Sequence, residues 1–324
     1  MAREDYLEIK QKFYDFAAAW QNGDSEKLND IFVPETACYL STVEKYPCGS
    51  QHGIYGVKAF TKDHPEPDYF HIKPCNVVIR VSKNRAQQSA ILVCHAGCIE
   101  GENVRSIEFD ALTVNSWVKT EEGWKIDEFR MDITICDGDY KEFVDNWYFE
   151  HQDLKYYFGI HLPVISGELD SPWVRIPKED EGKNDEELIQ ETFSRYAYGI
   201  DTLNFTNLIE SLSDDLVVNM APWGAMDKRE FMQTLKFKRQ AGRYWCHPAQ
   251  LDTISVKGND AFMTLHRMAG HKQSNLPVVV DKDNYNKEYA DARYEIKMKK
   301  ENGTWKIFRM DYFLGTIELG EYDF

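Results

Sequence analysis

The sequence predicts an α+β fold built twice in tandem, and three observations predict it. Nearly the same word occurs twice, WKIDEFRMD at 124–132 and WKIFRMD at 305–311. Trp and Met are rare residues, so a duplicated domain explains the recurrence better than chance does. Residues 9–40 also align without a gap with residues 189–220, at an offset of 180. Finally, in each half an apolar period near 3.6 gives way to a period of two. Helices followed by strands, with the helices packed on one face of a sheet, define the α+β class.

The elements follow in order. Ile9, Phe13, Phe16 and Trp20 are spaced i, i+4, i+7, i+11, as are Ile189, Phe193, Tyr196 and Ile200. Each set predicts one buried stripe on a first helix. Asn184 followed by Glu187 predicts a capped start for the second copy's helix. A short second helix is expected at about 25–33 and 205–213, started by Asp24 and Asn204, with Leu28 and Leu208 equivalent. An extended stretch follows, then a third helical segment near 56–63 and 227–237. The period-two segments predict strands at 76–82, 86–99 and 108–120, and in the second copy at 249–256, 260–271 and 289–300. Turns at 121–123 and 301–303 lead into the two repeated words. Asp127-Glu128 reads as a two-residue insertion, which preserves strand alternation. Trp124, Ile126, Arg130 and Asp132 are therefore expected on one face, and Trp305, Ile307, Arg309 and Asp311 on its equivalent.

The expected domains are 1–160 and 184–324. A linker at 161–183, rich in Pro, Gly and charge, is expected to join them. Residues 139–159 have no counterpart in the second copy and predict an aromatic-rich helical appendage that packs rather than binds a cofactor. The chain has 38 basic against 54 acidic residues, a net charge of −16, which repels phosphate backbones and anionic membranes. Nucleic acid and membrane are thus not expected partners. No run of about 18 apolar residues occurs and the start reads as an amphipathic helix, not a signal peptide. Seven Cys, six of them in the first half, form no regular framework and suggest reduced thiols in a cytoplasm. Cys94, His95 and Cys98 lack a second ligand pair for zinc. Phosphate loops, dinucleotide fingerprints and a Ser-His-Asp signature do not appear. Neither metal nor cofactor is expected.

The opening RYAYGIDTLNFTNLIESLSDDLVVNM, the strand DAFMTLHRMAGH and the hairpin NGTWKIFRMDY resemble the SnoaL-like branch of the nuclear-transport-factor-2-like superfamily. The resemblance covers almost the whole chain, twice. It implies two cone-like domains, each a curved, mainly antiparallel sheet wrapped around helices and enclosing a mostly apolar pocket. It also implies a pseudo-dimer inside one chain, with homo-oligomers open. The family includes scytalone dehydratase, bile acid 7α-dehydratase, ketosteroid isomerases and polyketide cyclases, and also modules that only bind. Fold alone therefore does not fix function.

The dehydratase pattern carries over to Tyr196, Asp201, His247 and His271 in the second copy. Arg309, Trp223 and Trp245 are the expected substrate contacts. The implied chemistry is cofactor-independent elimination of water from a hydrophobic hydroxy-carbonyl compound. His247 would serve as general acid/base, with Asp201 as its electrostatic partner. Tyr196 would polarise the carbonyl, and His271 would handle the second proton. Isomerisation or cyclisation through the same enolate, or binding without catalysis, are the alternatives. Each residue also has a structural reading: Tyr196 as core, Asp201 as a helix-end residue, His247 as a satisfied surface group, and Arg309–Asp311 and Arg130–Asp132 as ion pairs. His266 competes with His271 from the opposite strand face. Asp201 and Tyr196 lie about 140° apart on an ideal helix. They share a site only if the helix loosens at Gly199. Scytalone dehydratase's Ser and Asn correspond here to about Ala292 and Tyr294, a departure that argues against scytalone. Phe16 and Gln21 replace the Tyr and Asp in the first copy, which retains His71 and His95 and reads as degenerate and mainly structural.

Overall fold

The computed structural model describes residues 2–41, 67–138, 164–241, 246–268 and 279–322. They form two compact units, the first comprising 1–182 with 280–285 and 324, the second 183–279 with 286–323. In the first, α1 (Ala2–Gln21) and α2 (Ser25–Ile31) precede β1 (Phe32–Leu40), β2 (Tyr69–Ser82), β3 (Arg85–Glu100), β4 (Asn103–Thr120) and β5 (Gly123–Gly138). A short helix α3 (Pro172–Arg175) follows. The second unit has α4 (Asp185–Asp201), α5 (Phe205–Ser211), β6 (Leu212–Met220), β7 (Gly224–Asp227) and α6 (Lys228–Ala241). Strands β8 (Ala249–Lys257), β9 (Asp260–Met268), β10 (Lys287–Glu301) and β11 (Thr304–Glu321) complete it. The expected helix at 56–63 and the appendage at 139–159 lie outside the described residues.

The sheet orders are β1-β5-β4-β3-β2 and β7-β6-β11-β10-β9-β8. Both sheets are mixed: β1 runs parallel to β5, β6 runs parallel to β11, and the remaining pairs are antiparallel. The long helix of each unit lays its stripe on the inner sheet face. Ile9, Phe13, Phe16 and Trp20 are fully buried, and Ile189, Phe193, Tyr196 and Ile200 are at most 2% exposed. The stripe meets alternate inward residues of the sheet, for example Leu92, Cys94 and Ala96 in the first unit and Met263, Leu265 and Ile296 in the second. The capping box at Asn184 and Glu187 is present. Asp24 and Asn204 cap the short helices by accepting the amides of Lys27 and Asn207.

One further contact is duplicated. The Trp124 indole and Lys119 ammonium both donate to Asp5 Oδ1, at 2.9 and 2.6 Å. The Trp305 indole and Lys300 ammonium donate to Asp185 Oδ1, at 3.0 and 2.7 Å. In each unit the first turn of the long helix is thereby clasped to the tip of the last hairpin.

The expected face of the repeated words is corrected. Asp127 sits in a β-bulge, because Trp117 pairs with Ile126 and Ser116 with Glu128. Phe308 occupies the equivalent bulge, with Met298 opposite Ile307 and Lys297 opposite Arg309. A bulge adds one residue and reverses the phase. Trp124 and Ile126 face the core, but past the bulge Phe129, Met131 and Ile133 do so, not Arg130. Likewise Trp305 and Ile307 face inward, then Met310, with Arg309 outward. The bulges coincide at a uniform offset, so Asp127-Glu128 is no insertion; the recurring RMD is out of structural register by two residues.

Residues 164–180 lie against the first unit. Arg80 donates to the Ile176 carbonyl at 2.8 Å and pairs with Glu179 at 3.3 Å. The Asp180 amide bonds the Val81 carbonyl at 2.8 Å. Arg130 pairs with Glu128 and Asp170 and donates to the Val164 carbonyl. Among the described residues, no helix is long and apolar enough to cross a membrane.

Candidate active site

Asp201 is the last residue of α4 and is 3% exposed. The helix runs regularly to that point, so the loosening at Gly199 on which a shared Tyr196–Asp201 site depended does not occur. A Cβ at Gly199 would stand 2.7 Å from the Leu208 amide nitrogen and 2.9 Å from the Asn204 carbonyl. The glycine serves the close approach of α5 instead. Asp201 faces the segment entering β8. Its Oδ1 lies 2.5 Å from His247 Nδ1, and its Oδ2 accepts the His247 amide at 2.9 Å. The Cys246 thiol also approaches Oδ2, at 3.7 Å. Pro248 keeps His247 extended, which lets one carboxylate grip both its backbone and its ring. The His247 side chain remains 14% exposed while that of Asp201 is 1% exposed. An imidazole so held is fixed in position, and a carboxylate at Nδ1 favours the Nδ1–H tautomer and stabilises the cation.

Tyr196 is 1% exposed. Its ring packs on Phe193 and Phe231 at centroid distances of 5.7 and 6.3 Å. Its neighbourhood holds residues that the sequence did not single out. Tyr294, buried on β10, lies close enough to Tyr196, Tyr312, Arg267 and Asp291 to interact electrostatically with all four. The Tyr294 and Tyr312 rings lie 4.8 Å apart. Arg267, on the inner face of β9, donates to the Tyr312 hydroxyl at 2.9 Å and pairs with Asp291 at 3.4 Å. The other edge of the guanidinium holds the Cys246 carbonyl, at 3.1 and 3.3 Å. Arg267 thus links the Tyr312 phenol to the backbone of the dyad. Burial raises the Asp291 carboxyl above its usual range, opposed by Arg267. Burial also raises Tyr312, again opposed by Arg267, and holds Tyr294 well above its ordinary value. Both phenols thus stay protonated at neutral pH. The signal for Arg267 was its odd position among Leu265, Met263 and Ala261 on an inward-facing strand. Asp291 and Tyr312 follow less readily, because bulges at 290–292 and at Phe308 set their directions.

Arg309 and Trp223 are not brought to this cluster. Arg309 is on the outer face and exposed, chelating Asp311 at 2.7 and 3.1 Å. Trp223 is 42% exposed between β6 and β7. His271 and Trp245 lie outside the described residues. His266 faces away from Leu265 and Arg267, pairing across the strands with Gln250 and Arg293.

In the first unit, His71, His95 and Glu108 are direct cross-strand neighbours. They lie opposite the face that α1 covers, since Cys94 and Ala96 take the inward positions. The Tyr69 hydroxyl is 3.2 Å from His95 Nε2, and Glu108 is 3.8 Å from the same atom. Phe16 is core, and Gln21 accepts the Ile72 amide at 2.8 Å. Cys94 and His95 point to opposite faces. No group of three or more metal-ligating side chains occurs among the described residues.

Two mixed sheets, each wrapped on a long helix, with an Asp–His pair at the helix end of the second, define the class. The SnoaL-like domain matches residues 1–130 and again 183–311, and the chain belongs to that family as a tandem pair. Solved structures similar to the chain include a candidate dehydratase of the NTF2-like family from Streptomyces avermitilis. It is 13% identical, with a TM-score of 0.36, over 42% of this chain and 99% of that one. A candidate scytalone dehydratase from Novosphingobium aromaticivorans is 14% identical, with a TM-score of 0.33, over 40% and 83%. The hexachlorocyclohexane dehydrochlorinase LinA-type3 from Novosphingobium barchaimii is 16% identical, with a TM-score of 0.34, over 41% and 92%. No curated protein matches the chain.

Proposed function

We propose that the second unit is a cofactor-independent lyase, a dehydratase of hydrophobic hydroxy-carbonyl compounds. The observation that carries this reading is the Asp201–His247 pair, 2.5 Å apart, with the imidazole partly exposed and the carboxylate buried. With Nδ1 engaged by Asp201, Nε2 is the nitrogen that exchanges protons with a reactant. It removes the proton beside the carbonyl, the electron pair forms the enolate, and the carbon–oxygen bond breaks as the imidazolium returns the proton to the departing hydroxyl. Water and a conjugated carbonyl result. Asp201 stabilises the transient imidazolium. The partly exposed Tyr312 offers a neutral donor for the enolate oxygen, the role the resemblance gave to Tyr196, which is fully buried. An apolar surrounding strengthens each of these interactions. The first unit carries Phe16 and Gln21 at the corresponding places, and its role in this reading is structural.

The test is a panel of β-hydroxy ketones and hydroxylated polycyclic ketones, followed by the absorbance of the conjugated product. Wild type is expected to turn over at least one. His247→Ala is expected to lose roughly 10²–10⁴-fold in rate with an unchanged circular dichroism spectrum. Equal turnover by the variant sinks the assignment.

A further inference from the structure

We propose that the interior of the first unit binds a small neutral alcohol, whose hydroxyl bridges the side-chain amides of Gln88 and Asn115. The proposal is independent of the lyase reading, which concerns the second unit.

Gln88 on β3 and Asn115 on β4 stand directly opposite each other. Both lie on the inner sheet face. Ala86 and Ala90 flank Gln88 along β3, and Ile79 and Phe129 face the pair from β2 and β5; all four belong to the first unit's core. Gln88 and Asn115 are each 0% exposed. The Asn115 amide nitrogen donates to Gln88 Oε1 at 2.6 Å. Among the described residues, the Gln88 amide nitrogen and the Asn115 amide oxygen have no hydrogen-bond partner. Exchanging oxygen and nitrogen in both amides only swaps these roles, and leaves the same remainder of one N–H donor and one carbonyl acceptor. Buried polar groups nearly always find partners, because leaving them without one is costly. The Trp117 indole N–H, two residues along the same face of β4, is a third such group.

The second unit shows what the fold itself needs at these places. Matching strand pairs put Met263 at the place of Gln88, Ile296 at that of Asn115 and Met298 at that of Trp117. All three are fully buried and apolar. The polar groups of the first unit are therefore no requirement of the sheet, and they do not correspond to Tyr196, Asp201 or His247. Beside the pair, Ala90 and Thr113 stand where the second unit has Leu265 and Tyr294, so side-chain bulk is lower there.

The remainder of the amide pair selects the ligand. A hydroxyl oxygen accepts an N–H and donates its own proton to a carbonyl. A ketone only accepts. An anion has no proton to give and would be buried among apolar side chains at large cost. A water serves the same two groups without any loss of bulk around them, whereas Ala90 and Thr113 suit a carbon body attached to the oxygen. Full burial does not bar entry, since enclosed apolar sites take up molecules such as benzene.

The experiment follows the side-chain amide NMR signals of Gln88 and Asn115 in the full-length protein, identified by their loss in Gln88→Met and Asn115→Leu. The probes are 2-propanol and cyclohexanol, each against its ketone, acetone or cyclohexanone. An alcohol is expected to shift both signals saturably and to bind about 3- to 10-fold more tightly than its ketone, the worth of one neutral hydrogen bond. The double variant Gln88→Met with Asn115→Leu keeps similar shapes and removes both amides. It is expected to melt no lower than wild type and, in calorimetry, to lose the preference for alcohol. Signals that no alcohol moves, as when a water alone holds the pair, overturn the proposal. Equal wild-type affinity for alcohol and ketone does so too, as does an undiminished preference in the double variant. Neither readout needs turnover, so this proposal and the lyase reading fail separately.

Discussion

Asp201→Asn keeps the shape of the side chain and removes one acceptor. The carboxylate now accepts from His247 Nδ1 at 2.5 Å through one oxygen and from the His247 amide at 2.9 Å through the other. An amide has one oxygen and one NH2 group. If the oxygen keeps Nδ1–H, the NH2 opposes the backbone N–H, and a buried donor without an acceptor costs about 1–3 kcal/mol. If the oxygen keeps the backbone N–H, the NH2 faces Nδ1, which must then be bare, and the ring proton moves to Nε2. The second arrangement leaves no donor opposed, so the tautomer switches. A ring protonated on Nε2 cannot take a proton there, and turnover is expected to fall roughly 10²–10⁴-fold. Stability should fall by less than about 3 kcal/mol, measured by urea unfolding. Nitrogen NMR of the His247 ring reads the tautomer directly. An Asn variant whose Nε2 stays unprotonated, with turnover close to wild type, would refute the reasoning.

Removing either duplicated clasp, by Asp5→Ala or Asp185→Ala, should cost about 1–3 kcal/mol for an indole N–H left without its acceptor, and the two losses should add because the sites share no partners; urea midpoints of the single and double variants check this. Burial lowers His71 to about 4, against about 6.5 in an unfolded chain. In that window the unfolded state holds a proton the folded state refuses, so stability is full above the upper value and declines as pH drops toward the lower; His71→Gln should flatten that slope in urea titrations. Arg267→Met leaves Asp291 buried beside no cation and should cost about 3–5 kcal/mol, whereas Arg267→Met with Asp291→Leu should recover much of it; thermal melts of both decide.

The duplication, the helix stripes, the caps and most strands were legible because each repeats at its own period. The first-helix stripes were readable to the residue. Asp201 and His247 were legible only through a family resemblance; nothing in a 46-residue separation announces a hydrogen bond. The faces of Arg130 and Arg309 were misread because a bulge shows no signature in composition. Asp127 and Phe308 occupy equivalent bulges with unlike side chains. The shared RMD then suggested an alignment that the backbone does not follow. Arg267, Asp291 and Tyr312 escaped notice for a related reason. Their meeting depends on three strands, and bulges reset the phase of two of them, β10 and β11, which alternation alone does not foresee.

The buckle of Asp, Lys and indole has a consequence for how such a chain could arise. It binds an early part of each repeat to a late part of the same repeat, so each copy fastens itself with parts it already owns. Copying the gene end to end therefore supplied a second finished module without requiring any new fastening. Either module can then change its interior while keeping its closure: in the first, Phe16 and Gln21 stand beside an intact Asp5–Trp124 pair.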